Sequence, residues 1–131
     1  MKFSYKQIND ETYRPIIPIK LTRKNESVNY EVLVDSGADL NIFDAEMAEV
    51  IGIELETGEE SPFAGISGEK QTMYIHPVSI TVGGWEYQTK AGFADLPSHA
   101  YGIVGQKGFF SFFRITFDYT KKKLYIKRKD N

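Results

Sequence analysis

The chain is a succession of short alternating runs. Ile17, Ile19 and Leu21 alternate with Pro18 and Lys20, the period of two that marks a strand with one buried face. Pro15 and Pro18 have no N–H to give to a ladder, which predicts an edge position for this strand. Residues 24–27 turn the chain. Val28, Tyr30, Val32 and Val34 then share one face, and Asn29, Glu31 and Leu33 the other. The two runs read as a β-hairpin that delivers Asp35 at its far end. Val78, Ile80 and Val82 alternate in the same way up to Gly83-Gly84, a two-residue hairpin signal, and a return strand runs from Trp85 and Tyr87 towards Phe93. Tyr101-Gly102-Ile103-Val104-Gly105 is a short apolar strand ending in glycine. Phe113, Ile115 and Phe117 alternate, residues 118–121 turn, and Leu124, Tyr125 and Ile126 close the pattern.

Helical periodicity is scarce. Residues 43–51 predict one helix, with Phe43, Met47, Val50 and Ile51 as its apolar face, Asp44 as its cap and Gly52 as its stop. Residues 106–112 are compatible with a second short helix, which Gly108 opposes. Residues 54–62 read as a polar connection. Residues 1–12 are polar with Phe3, Tyr5 and Ile8 scattered through them; they read as an N-terminal arm or edge strand before a domain spanning 13–131. Seven or more short strands with frequent turns and one or two short helices give an all-β class, a small barrel or sandwich.

Composition narrows the partners. The 131 residues fit one domain with a true core. A net charge of −2 gives no reason to expect nucleic acid or a membrane surface as partner. No stretch approaches the ~20 apolar residues of a membrane span. The first residues have no apolar core of the kind a signal peptide needs, so none is expected. The absence of cysteine excludes disulfides, thiolate metal sites and a cysteine nucleophile, and fits a reducing compartment, with a cytoplasmic location as the expectation.

The candidate chemistry begins where Val32-Leu33-Val34 runs into Asp35-Ser36-Gly37-Ala38-Asp39. A strand that ends by presenting a carboxylate on a tight turn suggests catalysis, although Asp-Ser-Gly is also ordinary turn composition. Further on, Gly65 and Gly68 bracket Ile66 and Ser67, with strand-like residues on both sides. This predicts a hairpin with a sharply bent, mobile tip; a structural loop fits the same residues. His76 and His99 are single and far apart. Ser67 and Ser98 have no His–Asp companions, which argues against a serine hydrolase. The spacing of carboxylates and histidines makes no metal site, and nothing calls for a cofactor.

Three features thus follow in order: an apolar run into Asp-Ser-Gly-Ala, a glycine-bounded hairpin, and Ile103-Val104-Gly105. In that order and spacing, from about Tyr13 to Ile126, the chain resembles the retropepsins, the retroviral-type aspartic peptidases with their single-domain cellular and bacterial relatives. The resemblance implies a small closed barrel and an endopeptidase working as a homodimer on peptide or protein substrates, with no cofactor. It implies that Asp35 is the catalytic carboxylate, supported by Ser36, whose hydroxyl reaches the partner loop, and by Gly37. It implies that Ala38 leaves room for substrate main chain, that Asp39 binds main-chain amides, that Gly65, Ile66 and Ser67 form the flap tip, and that Ile103 lines the pocket beside the dyad. Residues read on their own leave Asp39 open as a cap. The family often has arginine after the second-signature glycine, paired to the acid that Asp39 matches; here Gln106 stands in that place and cannot form the ion pair. A dimeric peptide-binding or scaffolding module with little turnover, and an unrelated β-barrel binding protein, are the alternatives.

Overall fold

β-Branched and aromatic residues concentrate in the runs that become strands. The computed structural model describes residues 1–64 and 68–129. Among the described residues it has twelve strands and one α-helix, in the order β1 (Lys2–Ser4), β2 (Lys6–Asn9), β3 (Thr12–Arg14), β4 (Ile16–Arg23), β5 (Glu26–Val34), β6 (Ile42–Asp44), α1 (Ala45–Val50), β7 (Glu59–Ala64), β8 (Lys70–Val82), β9 (Trp85–Ala94), β10 (Gly102–Val104), β11 (Phe113–Asp118) and β12 (Lys123–Arg128). A single 3-10 turn, Leu55–Thr57, precedes β7.

The alternation read from sequence sets the main hairpins. β4 pairs antiparallel with β5, from Ile16 opposite Leu33 to Arg23 opposite Glu26. β8 pairs with β9 down to Val82 opposite Trp85, across Gly83 and Gly84, whose φ angles of 55° and 84° make the tight turn. β4, β5, β10, β6, β9 and β8 follow one another as neighbours, and β8 pairs back onto β4, closing a ring of six strands. The small closed barrel implied by the resemblance is therefore the architecture found. β7 extends the sheet beyond β8, β1 and β11 flank β12 in a second sheet, and β2 pairs with β3 in a third.

The inward faces make one core. Ile17, Leu21, Val32, Phe43, Ile80 and Phe93 are fully buried. Phe43 meets Phe93 edge-on at 5.8 Å between ring centres, and Tyr30 meets Phe43 at 5.6 Å. A second aromatic group joins β9 to the segment before β11: Trp85 stacks on Tyr87 at 5.1 Å, and Phe113 lies 5.3 Å from Tyr87 and 4.9 Å from Phe109. Such pairs contribute beyond the area they bury.

Three local expectations are corrected. β4 is not an edge strand: Lys20, Leu21 and Thr22 pair with Thr81, Ile80 and Ser79. That second ladder begins only at Lys20, so Pro15 and Pro18 stay outside it. The helix is also shorter than its pattern, because Phe43 and Asp44 belong to β6, parallel to Phe93 and Ala94 of β9. Asp44 makes no side-chain cap; its carboxylate accepts the Leu96 N–H at 3.3 Å. Ala48, not Val50, is the buried centre of α1, and Val50 is 47% exposed. Gly52 does end the segment with φ of 78°. Finally, residues 106–112 form turns instead of a helix. The N–H groups of Phe110 and Ser111 reach back to the carbonyls of Gly105 and Gln106, and the φ of 102° at Gly108 is incompatible with helix.

These burials predict opposite outcomes for two truncations. Phe93→Ala is expected to remove about 3–5 kcal/mol of stability through the cavity it leaves. Val50→Ala should stay within about 0.5 kcal/mol. Urea unfolding of both variants measures the difference, and a costly Val50→Ala would restore it to the core.

Candidate active site

The site is built where two strands distant in sequence run side by side. β5 and β10 are parallel, with Val32, Leu33 and Val34 aligned to Gly102, Ile103 and Val104. Both therefore end at the same rim of the barrel. The Asp35 N–H donates to the Val104 carbonyl at 3.0 Å, which carries the pairing one residue beyond β5. The chain then turns around the Asp35 side chain. The Gly37 N–H donates to Asp35 Oδ1 at 2.9 Å, and the Ala38 N–H to the Asp35 carbonyl at 3.2 Å. A carboxylate held by the backbone two residues on is the mechanism of an Asx turn. It fixes one oxygen of Asp35. Asp35 and Ala38 are half-buried, while Ser36, Gly37 and Asp39 are exposed.

A second loop braces the first. The N–H groups of Gln106 and Lys107 donate to the carbonyls of Ala38 and Asp39 at 2.9 and 2.8 Å. The Gln106 side-chain amide donates to the Ser36 carbonyl at 2.7 Å. Gln106 thus forms no ion pair with Asp39 but clamps the turn that carries Asp35. The loops approach so closely that a side chain at Gly105 would bring its Cβ within 2.7 Å of the carbonyl oxygens of Ala38 and Leu40.

Asn41 ties the two loops to the barrel. It is fully buried. Its Oδ1 accepts the Gly105 N–H at 3.1 Å, and its Nδ2 donates to the carbonyls of Lys90 and Gly108, both at 3.0 Å. Its own carbonyl accepts the Gly92 N–H at 2.8 Å. The Gly108 carbonyl also takes the Tyr87 hydroxyl at 3.1 Å and the Thr89 hydroxyl at 3.0 Å. Burial pushes the Tyr87 phenol well above its ordinary value, so it serves there as a hydrogen-bond donor.

The other residues read from sequence fall as follows. Ile103 is half-buried and aligned with Leu33 on one side and Ile42 on the other. Gly65, Ile66 and Ser67 lie outside the described residues. The hairpin that leads to them is formed by β7 and β8, with Phe63 opposite Gln71 and Ala64 opposite Lys70; Gly68 has φ of 81°. His76 is buried, its Nε2 2.7 Å from the Leu55 carbonyl, and His99 is an exposed loop residue. Among the described residues no three His, Cys, Asp or Glu side chains come together as a metal site would require.

A family model described as aspartyl protease matches residues 19–107, from β4 through the loop that braces Asp35. This chain belongs to the aspartyl protease family. Solved structures share its fold. A retropepsin-like aspartic protease from Rickettsia conorii is 18% identical, with 95% of this chain and 97% of that one covered and a TM-score of 0.65. The retroviral protease-like domain of Ddi1 from Leishmania major is 16% identical, covering 86% and 87%, with a TM-score of 0.62. The EIAV protease complexed with the inhibitor HBY-793 is 22% identical, covering 77% and 88%, with a TM-score of 0.55. A search of curated proteins finds no match. The chain is a retropepsin-like member of the aspartyl protease family by its family model and its fold.

Asn41 was missed in the sequence, and its one signal there is a polar residue set between Leu40 and Ile42 just after the acidic turn. Replacing it by leucine leaves the buried Gly105 N–H without its acceptor. Asn41→Leu is expected to lose at least about 1–3 kcal/mol of stability. Gln106→Leu, at an exposed position, should lose less than about 1 kcal/mol, since water can take the Ser36 carbonyl. Chemical denaturation ranks the two, and the reverse order would remove Asn41 from its central place.

Tyr87 makes an alkaline prediction. An unfolded tyrosine titrates near ~10. The raised folded value means that the stability Tyr87 contributes is complete below that pH and is lost as pH climbs above it towards the folded value. Wild type should therefore lose stability faster than Tyr87→Phe between about pH 9 and about pH 11. Parallel curves would show that the buried phenol carries no such linkage.

Proposed function

We propose that this chain is an aspartic endopeptidase that acts as a homodimer, with Asp35 from each copy forming the catalytic pair. The observation that supports this most is the lone Asp-Ser-Gly turn, which holds Asp35 half-exposed at the barrel rim with one oxygen fixed by the Gly37 N–H. The sequence contains no second such turn, because Asp10, Asp39, Asp44, Asp95, Asp118 and Asp130 are followed by other residues. The family's chemistry needs two adjacent carboxylates. On this reading the second comes from another copy, by an isologous two-fold contact near Asp35.

Two carboxylates that close hold one proton between them. The ionised one takes a proton from a water as the water oxygen attacks the peptide carbonyl carbon. The protonated one donates to the carbonyl oxygen and stabilises the charge that develops there. Collapse of the tetrahedral intermediate breaks the C–N bond as a proton passes to the departing amine. Ser36 offers its hydroxyl to the partner loop, and Gly37 lets the backbone pass. Ala38 and Asp39 receive substrate main chain, Ile103 lines the adjoining pocket, and the hairpin tip at Gly65, Ile66 and Ser67 covers the bound peptide. No metal or cofactor takes part. No helix among the described residues is long and apolar enough to cross a membrane.

The test is cleavage of a peptide library at mildly acidic pH, read by mass spectrometry, with sedimentation at micromolar concentration alongside. Products should appear with wild type and fall by about 10³-fold or more with Asp35→Asn. The active species should sediment as a dimer. Cleavage that survives Asp35→Asn, or that a strictly monomeric species performs, would overturn the proposal. A dimer that binds peptides without cutting them would make the chain a binding module.

A further inference from the structure

Directly after Asp39 the chain enters a groove of about 380 Å³ on the barrel flank. Leu40, Ile75 and Phe112 supply its apolar walls, Gly108 lies along it, and Lys90 and Lys107 stand at its edge. The groove adjoins the candidate site along the chain: Leu40 follows Asp39 and is bridged to Lys107, whose N–H donates to the Asp39 carbonyl at 2.8 Å. It is also preformed. The Gly108 carbonyl is held by three donors from Asn41, Tyr87 and Thr89, and a Cβ at Gly108 would fall 2.5 Å from Asn41 Nδ2. A ligand entering it would not have to order this wall.

The charge in the groove's lining is one-sided. Both lysines are exposed, and no acidic residue lines the groove. Among the described residues the one ion pair is Lys6 with Glu31, so neither lysine is paired to a carboxylate. The lining thus carries two positive charges on a chain of net charge −2. Apolar walls beneath two free ammonium groups fit a side chain that is apolar next to one that is anionic.

We propose that this groove is an outer subsite for the peptide substrate, selecting an apolar residue with an acidic neighbour beyond the residues that flank the scissile bond. This rests on the peptidase reading above. The peptide is the occupant because Leu40 directly follows Asp39, proposed above to receive substrate main chain, and because Lys90 and Lys107 in the lining complement an acidic side chain. Burial of its apolar side chain supplies affinity, and the two lysines supply selection by charge, weakened by salt.

The experiment uses peptides with one fixed scissile pair and a Leu-Glu, Leu-Gln or Leu-Lys step placed in turn at each outer position. For wild type, one outer position should show kcat/KM about tenfold higher with Leu-Glu than with Leu-Lys. The ratio should shrink at high salt. It should flatten in Lys90→Gln/Lys107→Gln and invert in Lys90→Glu/Lys107→Glu. Binding of the same peptides to Asp35→Asn, followed by fluorescence anisotropy, should show the same order without cleavage. Cleavage with no charge preference at any position, or a preference that survives both double variants, overturns the subsite and leaves the peptidase intact. Charge-selected binding with no cleavage by wild type supports the subsite and overturns the peptidase. Peptides neither cut nor bound overturn both. A change in dimerisation of the double variants, with peptide selectivity unaltered, makes the groove an interface between copies and also overturns the subsite.

Discussion

The rim of this barrel depends on finding an acceptor for one backbone N–H. Gly105 sits where two loops press together, with no room for a side chain. Its N–H is buried, and a buried donor without a partner is costly. Asn41 accepts it, and with its other atoms holds Lys90, Gly108 and Gly92. One amide side chain thereby joins the Asp35 loop, the Gly105 loop and β9. Because every polar atom of that amide is used and Asn41 is fully buried, small displacements of either loop would break a bond shielded from solvent. The orientation of Asp35 therefore inherits the rigidity of the barrel, although Asp35 itself lies on a turn.

How far this could be read from the chain follows the range of the interactions. Alternation of Ile17, Ile19 and Leu21 and of Val28 to Val34 is a local signal, and those strands form as it predicts. Gly83-Gly84 is equally local and makes its hairpin. The errors arise where a distant partner decides. Phe43 fits a helical face by spacing, yet β9 captures it as a strand against Phe93. Phe109 and Phe113 are both buried in the aromatic group around Tyr87, and turns place them there where a helix at residues 106–112 would have been expected. β4 carries Pro18, with Pro15 just before it, and still receives a second neighbour, because closure uses only the residues beyond them.

The same division runs through the candidate site. Asp35, its turn and Gly105 are carried by short motifs and were legible. Asn41 was not, since its partners lie 49 to 67 residues away. Gln106 was legible only as a departure from a pattern. Its amide reaching the Ser36 carbonyl shows that a neutral side chain can fasten this turn without an ion pair.

β8 has a mechanical consequence. From Tyr74 to Val82 it is clasped by β9, and Ile80 and its neighbours are clasped by β4; from Met73 back to Lys70 its partner among the described strands is β7. It is one strand with a fixed part and a projecting part, a cantilever. The junction falls at Met73 and Tyr74. Just inside it the buried His76 imidazole holds the Leu55 carbonyl and leaves no space for a side chain on Gly58. At roughly 3.3 Å per residue, the stretch from Met73 to Lys70 is a lever arm of about 10 Å. A tilt of about 10° at the junction would displace its far end by roughly 2 Å without breaking a rung of the barrel. A tilt of this arm would therefore pivot where β9 lets go of β8, and the packing at that point would set its amplitude.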